Sequence, residues 1–264
     1  MKIPIYQVDA FTEEPFRGNP AAVCPIEEWP EDRILQSIAA ENNLSETAFF
    51  VESSKSYELR WFTPQNEVDL CGHGTLAAAF VLFEELGHGQ RAIKFETQSG
   101  QLQVQQERDY FSMNFPSRPP VPTKPDQNII DGLGIEPLKA FESRDFMAVY
   151  DSQEQIRALD PDMKLLEKGA WSGVIATAEG REKGVDFVSR FFAPAEGIPE
   201  DPVTGSAHCT LAPYWSDRLC KTELKARQLS RRGGTVLCEM KENRVKIMGS
   251  AALYMKGELH LDGY

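Results

Sequence analysis

One motif occurs twice in this chain. LRWFTP, ending at Pro64, and SRFFAP, ending at Pro194, share an arginine, aromatic residues and a closing proline, and Arg60 and Arg190 lie 130 residues apart. Acidic residues follow in both copies, and then a glycine opens an apolar segment: Gly72 in the first, Gly205 in the second, 133 residues apart. Upstream, TAFFVE and GVIATAE occupy corresponding places. Three features in the same order indicate a duplicated α+β unit. Between the copies lies PSRPPVPTKP, whose five prolines at 116, 119, 120, 122 and 125 no helix or central strand tolerates. It reads as a linker dividing the chain into halves 1–117 and 118–264, the last strands being free to return to the first half.

Local patterning supports mixed secondary structure. IPIYQVDAF, ETAFFVES and YELRWFTP read as strands, and WPEDRILQSIAAENN as an amphipathic helix with Ile34, Leu35, Ile38 and Ala39 at helical spacing. GTLAAAFVLFEELG reads as a buried helix closed by Gly87, and AHCTLAPYWSDRL as a helix that Pro213 should kink or interrupt. The final stretch predicts a β meander with turns at Gly233-Gly234, Glu242-Asn243 and Lys256-Gly257.

Charge and cysteine usage narrow the partners. Lys and Arg number 28 against 40 Asp and Glu, and the net charge of −12 repels phosphate backbones and anionic membranes, so nucleic acid is not an expected partner. Five cysteines at 24, 71, 209, 220 and 238 are odd in number and lack C-x-x-C spacing, which points to free thiols in a reducing, cytoplasmic setting. The longest apolar run, LAAAFVLF, falls far short of a membrane span.

Two glycine-led helix starts facing one cleft would aim bare backbone N–H groups and two positive dipole ends at a bound anion, and a carboxylate fits. Neither continues into the G-K-[ST] of a phosphate loop. Cys71, His73, Glu46 and Asp201 are types that act as base in one step and acid in the next. A two-thiol racemase wants a cysteine at the place matching Cys71 in the second half, where the repeat puts Thr204. Cys71-x-His73 and His208-Cys209 offer metal-ligand types without the spaced pairs of a structural zinc site, and no acidic loop has calcium-site spacing, so no metal is expected.

Four blocks together, VDAFTEEPFRGNPAAV, NLSETAFFV, RWFTPQNEVDLCGHGTLAAA and RFFAPAEGIPEDPVTGSAHCTL, resemble the PhzF-like, or phenazine biosynthesis-like, proteins, relatives in fold of diaminopimelate epimerase. The resemblance covers essentially the whole chain. It implies two pseudo-symmetric α+β domains, each a curved mixed sheet or barrel around a central helix, with the active site in the cleft between them. It also implies cofactor-free isomerisation of a small carboxylate-bearing substrate, and a homodimer. Glu46 in SETAFF matches the family's proton-shuttling glutamate, which works on a dihydro-hydroxyanthranilate in the phenazine enzyme. His73, Asp201 and Ser206 match its polar partners, and Gly72 and Gly205 would present backbone donors to the substrate carboxylate, beside Cys71 and Thr204. Two alternatives remain open: an amino-acid epimerase using Cys71, and a non-catalytic metabolite- or protein-binding member of the same fold.

Overall fold

A computed structural model of the protein describes residues 1–261. The chain forms two compact units, one comprising Met1–Asn114 and the chain from Met248 onward, the other Phe115–Ile247.

The first unit begins with β1 (Lys2–Ala10), β2 (Asn19–Ile26), α1 (Asp32–Asn42), β3 (Glu46–Glu52), β4 (Tyr57–Phe62) and a short β5 (Glu67–Val68). The glycine-led helix follows as α2 (Gly72–Phe80), then β6 (Ala92–Thr97), β7 (Gly100–Glu107) and β8 (Tyr110–Pro116). Pairing alternates: β1 runs antiparallel to β2, β2 parallel to β3, β3 antiparallel to β4, β4 parallel to β6, and β6 antiparallel to β7. α2 packs against β1, β2, β3 and β7, and every residue from His73 to Ala79 is buried. A helix apolar on all sides is stable only when enclosed, and three consecutive alanines let the strands approach closely. The opposite face of the strands is covered by α1, whose Leu35, Ile38 and Ala39 pack with Ile5, Cys24 and Phe49. The predicted buried helix ends its α-helical part at Phe80 and continues as one π-helical turn, Val81–Glu85.

The second unit contains β9 (Val121–Pro122), α3 (Gln127–Leu133), β10 (Lys139–Glu142), β11 (Phe146–Val149), α4 (Gln153–Ala158) and α5 (Met163–Leu166). It continues with β12 (Val174–Glu179), β13 (Phe187–Phe192), α6 (Gly205–Leu219), β14 (Glu223–Gln228), β15 (Gly234–Lys241) and β16 (Arg244–Gly249). Its pairing repeats that of the first unit: β10–β11 antiparallel, β11–β12 parallel, β12–β13 antiparallel, β13–β14 parallel, β14–β15 antiparallel. The duplicated motif is therefore a duplicated topology, with α2 and α6 in equivalent places.

Three local expectations are corrected. α6 runs unbroken from Gly205 to Leu219 through Pro213. Proline has no N–H for the carbonyl of Cys209, one turn earlier, and that carbonyl instead accepts the backbone N–H of Arg118 at 2.9 Å. The proline-rich stretch is correspondingly held on the second unit, where Pro122 pairs with Phe141 on β10 and the Thr123 N–H reaches the Ala140 carbonyl at 3.1 Å. At the end of the chain there is no turn at Lys256-Gly257: β17 (Ala251–His260) runs straight through and pairs antiparallel with β1 from Lys2 to Ala10, with Tyr254 as an extra residue opposite the Gln7–Val8 step. The chain from Met248 onward thus belongs with the first unit.

The repeated arginines explain the repeated loop. Arg60 donates through Nε and Nη2 to the two carboxylate oxygens of Glu67, both at 2.7 Å, and its guanidinium lies 5.1 Å from the centre of the Phe62 ring. Arg190 forks onto Glu200 at 2.7 and 3.0 Å and lies 4.9 Å from the Phe192 ring centre. The third arm reaches a helix terminus in each case: Asp32 in the first turn of α1 at 2.9 Å, and the Leu159 carbonyl beyond α4 at 2.6 Å. Two-point forks of this kind fix direction as well as distance. With side chains only 12% and 22% exposed, the Arg190–Glu200 pair should cost about 2–3 kcal/mol when broken by Arg190→Met, which strands a shielded carboxylate, and Arg190→Met/Glu200→Leu should recover part of the loss; urea unfolding of the three proteins measures both.

Candidate active site

Strand alternation aims Glu46. Counting along β3, Glu46, Ala48 and Phe50 share one face, and Phe49, which packs with α1, lies on the other, so Glu46 looks toward α2. The carboxylate meets the first turn of that helix: His73 Nε2 stands 2.8 Å from Glu46 Oε2, with both side chains about one-tenth exposed. The contact is an ion pair largely shielded from water, and Oε2 is buried. β2 runs parallel to β3 with Ala21 opposite Glu46, which brings Asn19, at the start of β2, to the same end of the sheet. The Asn19 amide nitrogen lies 3.2 Å from His73 Nδ1. With that amide group donating, Nδ1 of the neutral ring accepts and its one proton sits on Nε2, facing Glu46.

Cys71 closes the cluster from below. It is the N-cap of α2, and its Sγ accepts the Gly74 N–H at 3.2 Å. Gly74 has no room for a side chain: a Cβ there would meet the Trp61 ring at 2.8 Å and Cys71 Sγ at 2.9 Å. The thiol lies 3.6 Å from His73 Nδ1. Burial, reinforced by the nearby Glu46 carboxylate, raises the proton affinity of Cys71, so the group is a neutral thiol rather than a thiolate. For His73, burial opposes protonation, but the Glu46 carboxylate beside the ring more than offsets it and holds its pKa well above the usual 6.5. A second ring proton at Nδ1 is accommodated by turning the Asn19 amide so that its oxygen accepts.

One ligand-type atom from each of Glu46, Cys71 and His73 lies within 4.8 Å of the others. Two ligands on a tetrahedral zinc keep about 3.3 Å between them at ordinary bond lengths, so the 2.8 Å between Nε2 and Oε2 is the spacing of groups in contact with each other.

The second unit places the remaining predicted residues in one turn. Gly205 is the first residue of α6, as Gly72 is of α2, and Ser206, half-buried, is the second. Asp201 and Thr204 are buried, and the Thr204 hydroxyl donates to Asp201 Oδ2 at 2.5 Å. His208, completely buried, lies with Nδ1 2.8 Å from the Thr204 carbonyl one turn earlier; burial lowers its pKa to about 4, which keeps it neutral and makes Nδ1–H the donor. The structure thus brings together Glu46, Cys71 and His73 in one unit and Asp201, Thr204, Gly205 and Ser206 in the other.

Two residues of these clusters escape sequence reasoning. Asn19, completely buried, carried the one available signal, a polar residue opening an apolar strand in GNPAAV. Gln228, the last residue of β14, contacts both Asp201 and Thr204 and carried none.

The PhzC-PhzF family, described as phenazine biosynthesis-like protein, matches residues 8–257. The chain belongs to this family. It is 50% identical to an uncharacterized isomerase of Pseudomonas aeruginosa, across 99% of this chain and 100% of the relative. A crystal structure of a PhzF-family phenazine biosynthesis protein from Enterococcus faecalis superposes with a TM-score of 0.96 at 48% identity, covering 99% of this chain and 100% of that one. The fold extends to a hydroxyproline epimerase from Agrobacterium vitis, TM-score 0.65 at 12% identity, covering 99% and 93% of the two chains. The architecture is thus the two-part α+β fold shared by PhzF-type proteins and these epimerases. Among the described residues no helix is long and apolar enough to cross a membrane, and all five cysteines are free.

A histidine whose folded pKa exceeds its unfolded value adds stability below about pH 6.5, and that contribution is lost as pH rises through the folded value. NMR titration should show His73 above 6.5 in the wild type and lower in Glu46→Gln, and the same substitution should flatten the fall in stability across that range.

Proposed function

We propose that the protein is a PhzF-like isomerase that moves a proton on a small carboxylate-bearing substrate, with Glu46 as base in one step and acid in the next. The observation that supports it most is the Glu46 carboxylate itself, buried with Oε2 2.8 Å from His73 Nε2: a base shielded from water beside a ring that can share its proton. His73 stabilises the carboxylate while it is charged and donates toward it, and Asn19 fixes which ring nitrogen does so. In the second unit Asp201 and Ser206 are the groups suited to positioning substrate and relaying protons. In each unit the first turn of the glycine-led helix, at Gly72 beside Cys71 and at Gly205 beside Thr204, offers N–H groups to a carboxylate. The chemistry needs no cofactor, and the reading includes a homodimer acting in the cytoplasm.

Cys71 suits the epimerase alternative poorly. Its sulfur is engaged as a helix cap and its proton is held by burial and by the carboxylate beside it, so it lacks the thiolate that such chemistry requires.

The test is deuterium incorporation, followed by NMR in heavy water, into dihydro-hydroxyanthranilate and trans-4-hydroxy-L-proline. Wild type should exchange at least one of them, with Glu46→Gln slower by about 100-fold or more and Cys71→Ala by less than about 10-fold. Equal rates for wild type and Glu46→Gln would remove Glu46 from the mechanism, and no exchange with a probe that binds would favour a non-catalytic role.

A further inference from the structure

The first turns of α2 and α6 are finished differently although their surroundings are duplicated. In α2 the N-cap side chain does the usual work, Cys71 Sγ accepting the Gly74 N–H. In α6 the N-cap is Thr204, a residue type well suited to capping, yet it makes no side-chain cap. Its hydroxyl points the other way, donating to Asp201 Oδ2 at 2.5 Å and accepting from Gln228 Nε2 at 3.1 Å.

Gln228 is what turns it. Its Oε1 accepts the Thr204 backbone N–H at 2.9 Å, and its Nε2 donates to the Asp201 carbonyl at 2.8 Å as well as to the Thr204 hydroxyl. Only a carboxamide of this reach accepts at one end and donates twice at the other; glutamate loses both donors and leucine everything. The group is rigidly mounted. Gln228 is 1% exposed and ends β14, between Ser189 on one neighbouring strand and Gly234 on the other. The two units share one tie at this turn, Ser99 donating to the Asp69 carbonyl at 2.8 Å and Ser230 to the Pro202 carbonyl at 2.7 Å; the carboxamide contacts of Gln228 are added to it in the second.

We infer that Gln228 is a positioning residue of the candidate active site: its carboxamide holds the Asp201–Thr204 turn so that the Asp201 carboxylate stays in one orientation and the Thr204 hydroxyl stays off the first turn of α6, leaving those N–H groups for substrate. Gln228 does not touch the reacting atoms; it acts through Asp201 and Thr204. The inference rests on the reading of Asp201 and the α6 first turn given under the proposed function.

The experiment compares wild type, Gln228→Leu and Gln228→Glu by deuterium exchange and by the Thr204 χ1 rotamer from NMR couplings, with thermal midpoints recorded alongside. In Gln228→Leu, Thr204 should change rotamer to cap α6, and kcat/KM should fall by about 10- to 100-fold, chiefly through KM. Gln228→Glu should acquire a pH step absent from wild type, approaching wild-type exchange at low pH, where the protonated carboxyl can donate, and losing it as the acid ionises. An unchanged Thr204 rotamer in Gln228→Leu overturns the inference whether or not the protein turns over a substrate. Unchanged kcat and KM with only a lower thermal midpoint reduces Gln228 to a structural role. The role of Glu46 is judged separately, by wild type against Glu46→Gln.

Discussion

The fold depends on a guanidinium–carboxylate fork used twice. In each unit a strand ends in an arginine and aromatic residues, the chain loops out, and a helix must then start at a defined place beneath the sheet. A loop of about ten residues has no core of its own to decide where it goes. Arg60 and Arg190 decide it by gripping Glu67 and Glu200 from two directions, stacking on Phe62 and Phe192, and reaching with the third arm to a helix terminus. Charges placed this way are partly shielded from water, so the forks impose geometry as much as they add stability. Gly72 and Gly205 start their helices where they do because the loops ahead of them are tied.

The cluster around Glu46 shows how few groups are needed to separate the behaviour of neighbouring acids. Cys71 and His73 are two residues apart and both buried. The same carboxylate that favours a proton on the imidazole disfavours loss of one from the thiol, because the first creates an attraction and the second a repulsion at low dielectric. A cysteine beside a histidine is often read as a nucleophile; here the nearby negative charge argues the other way.

Much of this was legible in the sequence, for a physical reason. Arginine, aromatic, proline, acid and glycine form a local signature within about fifteen residues, so the duplication survives as text. Glu46 was legible through its motif, and its direction followed from the period of a strand. Contacts between element ends were not: Asn19 and His73 are 54 residues apart, and Gln228 and Thr204 are 24 apart, brought together by strand pairings that no spacing announces. Pro213 does not interrupt α6 because the rule about missing N–H groups concerns the whole structure, and the orphaned Cys209 carbonyl found Arg118 far away in the chain. Lys256-Gly257 misled because a glycine paired along a partner strand is simply extended backbone.

The return of β17 to β1 makes one unit an insertion within the other. During synthesis the inserted unit is complete once Ile247 emerges, whereas β1 has its second edge covered only when β17, more than two hundred residues further along, is made. Loss of β17 would thus uncover β1, far back along the chain, rather than the sequence adjoining it.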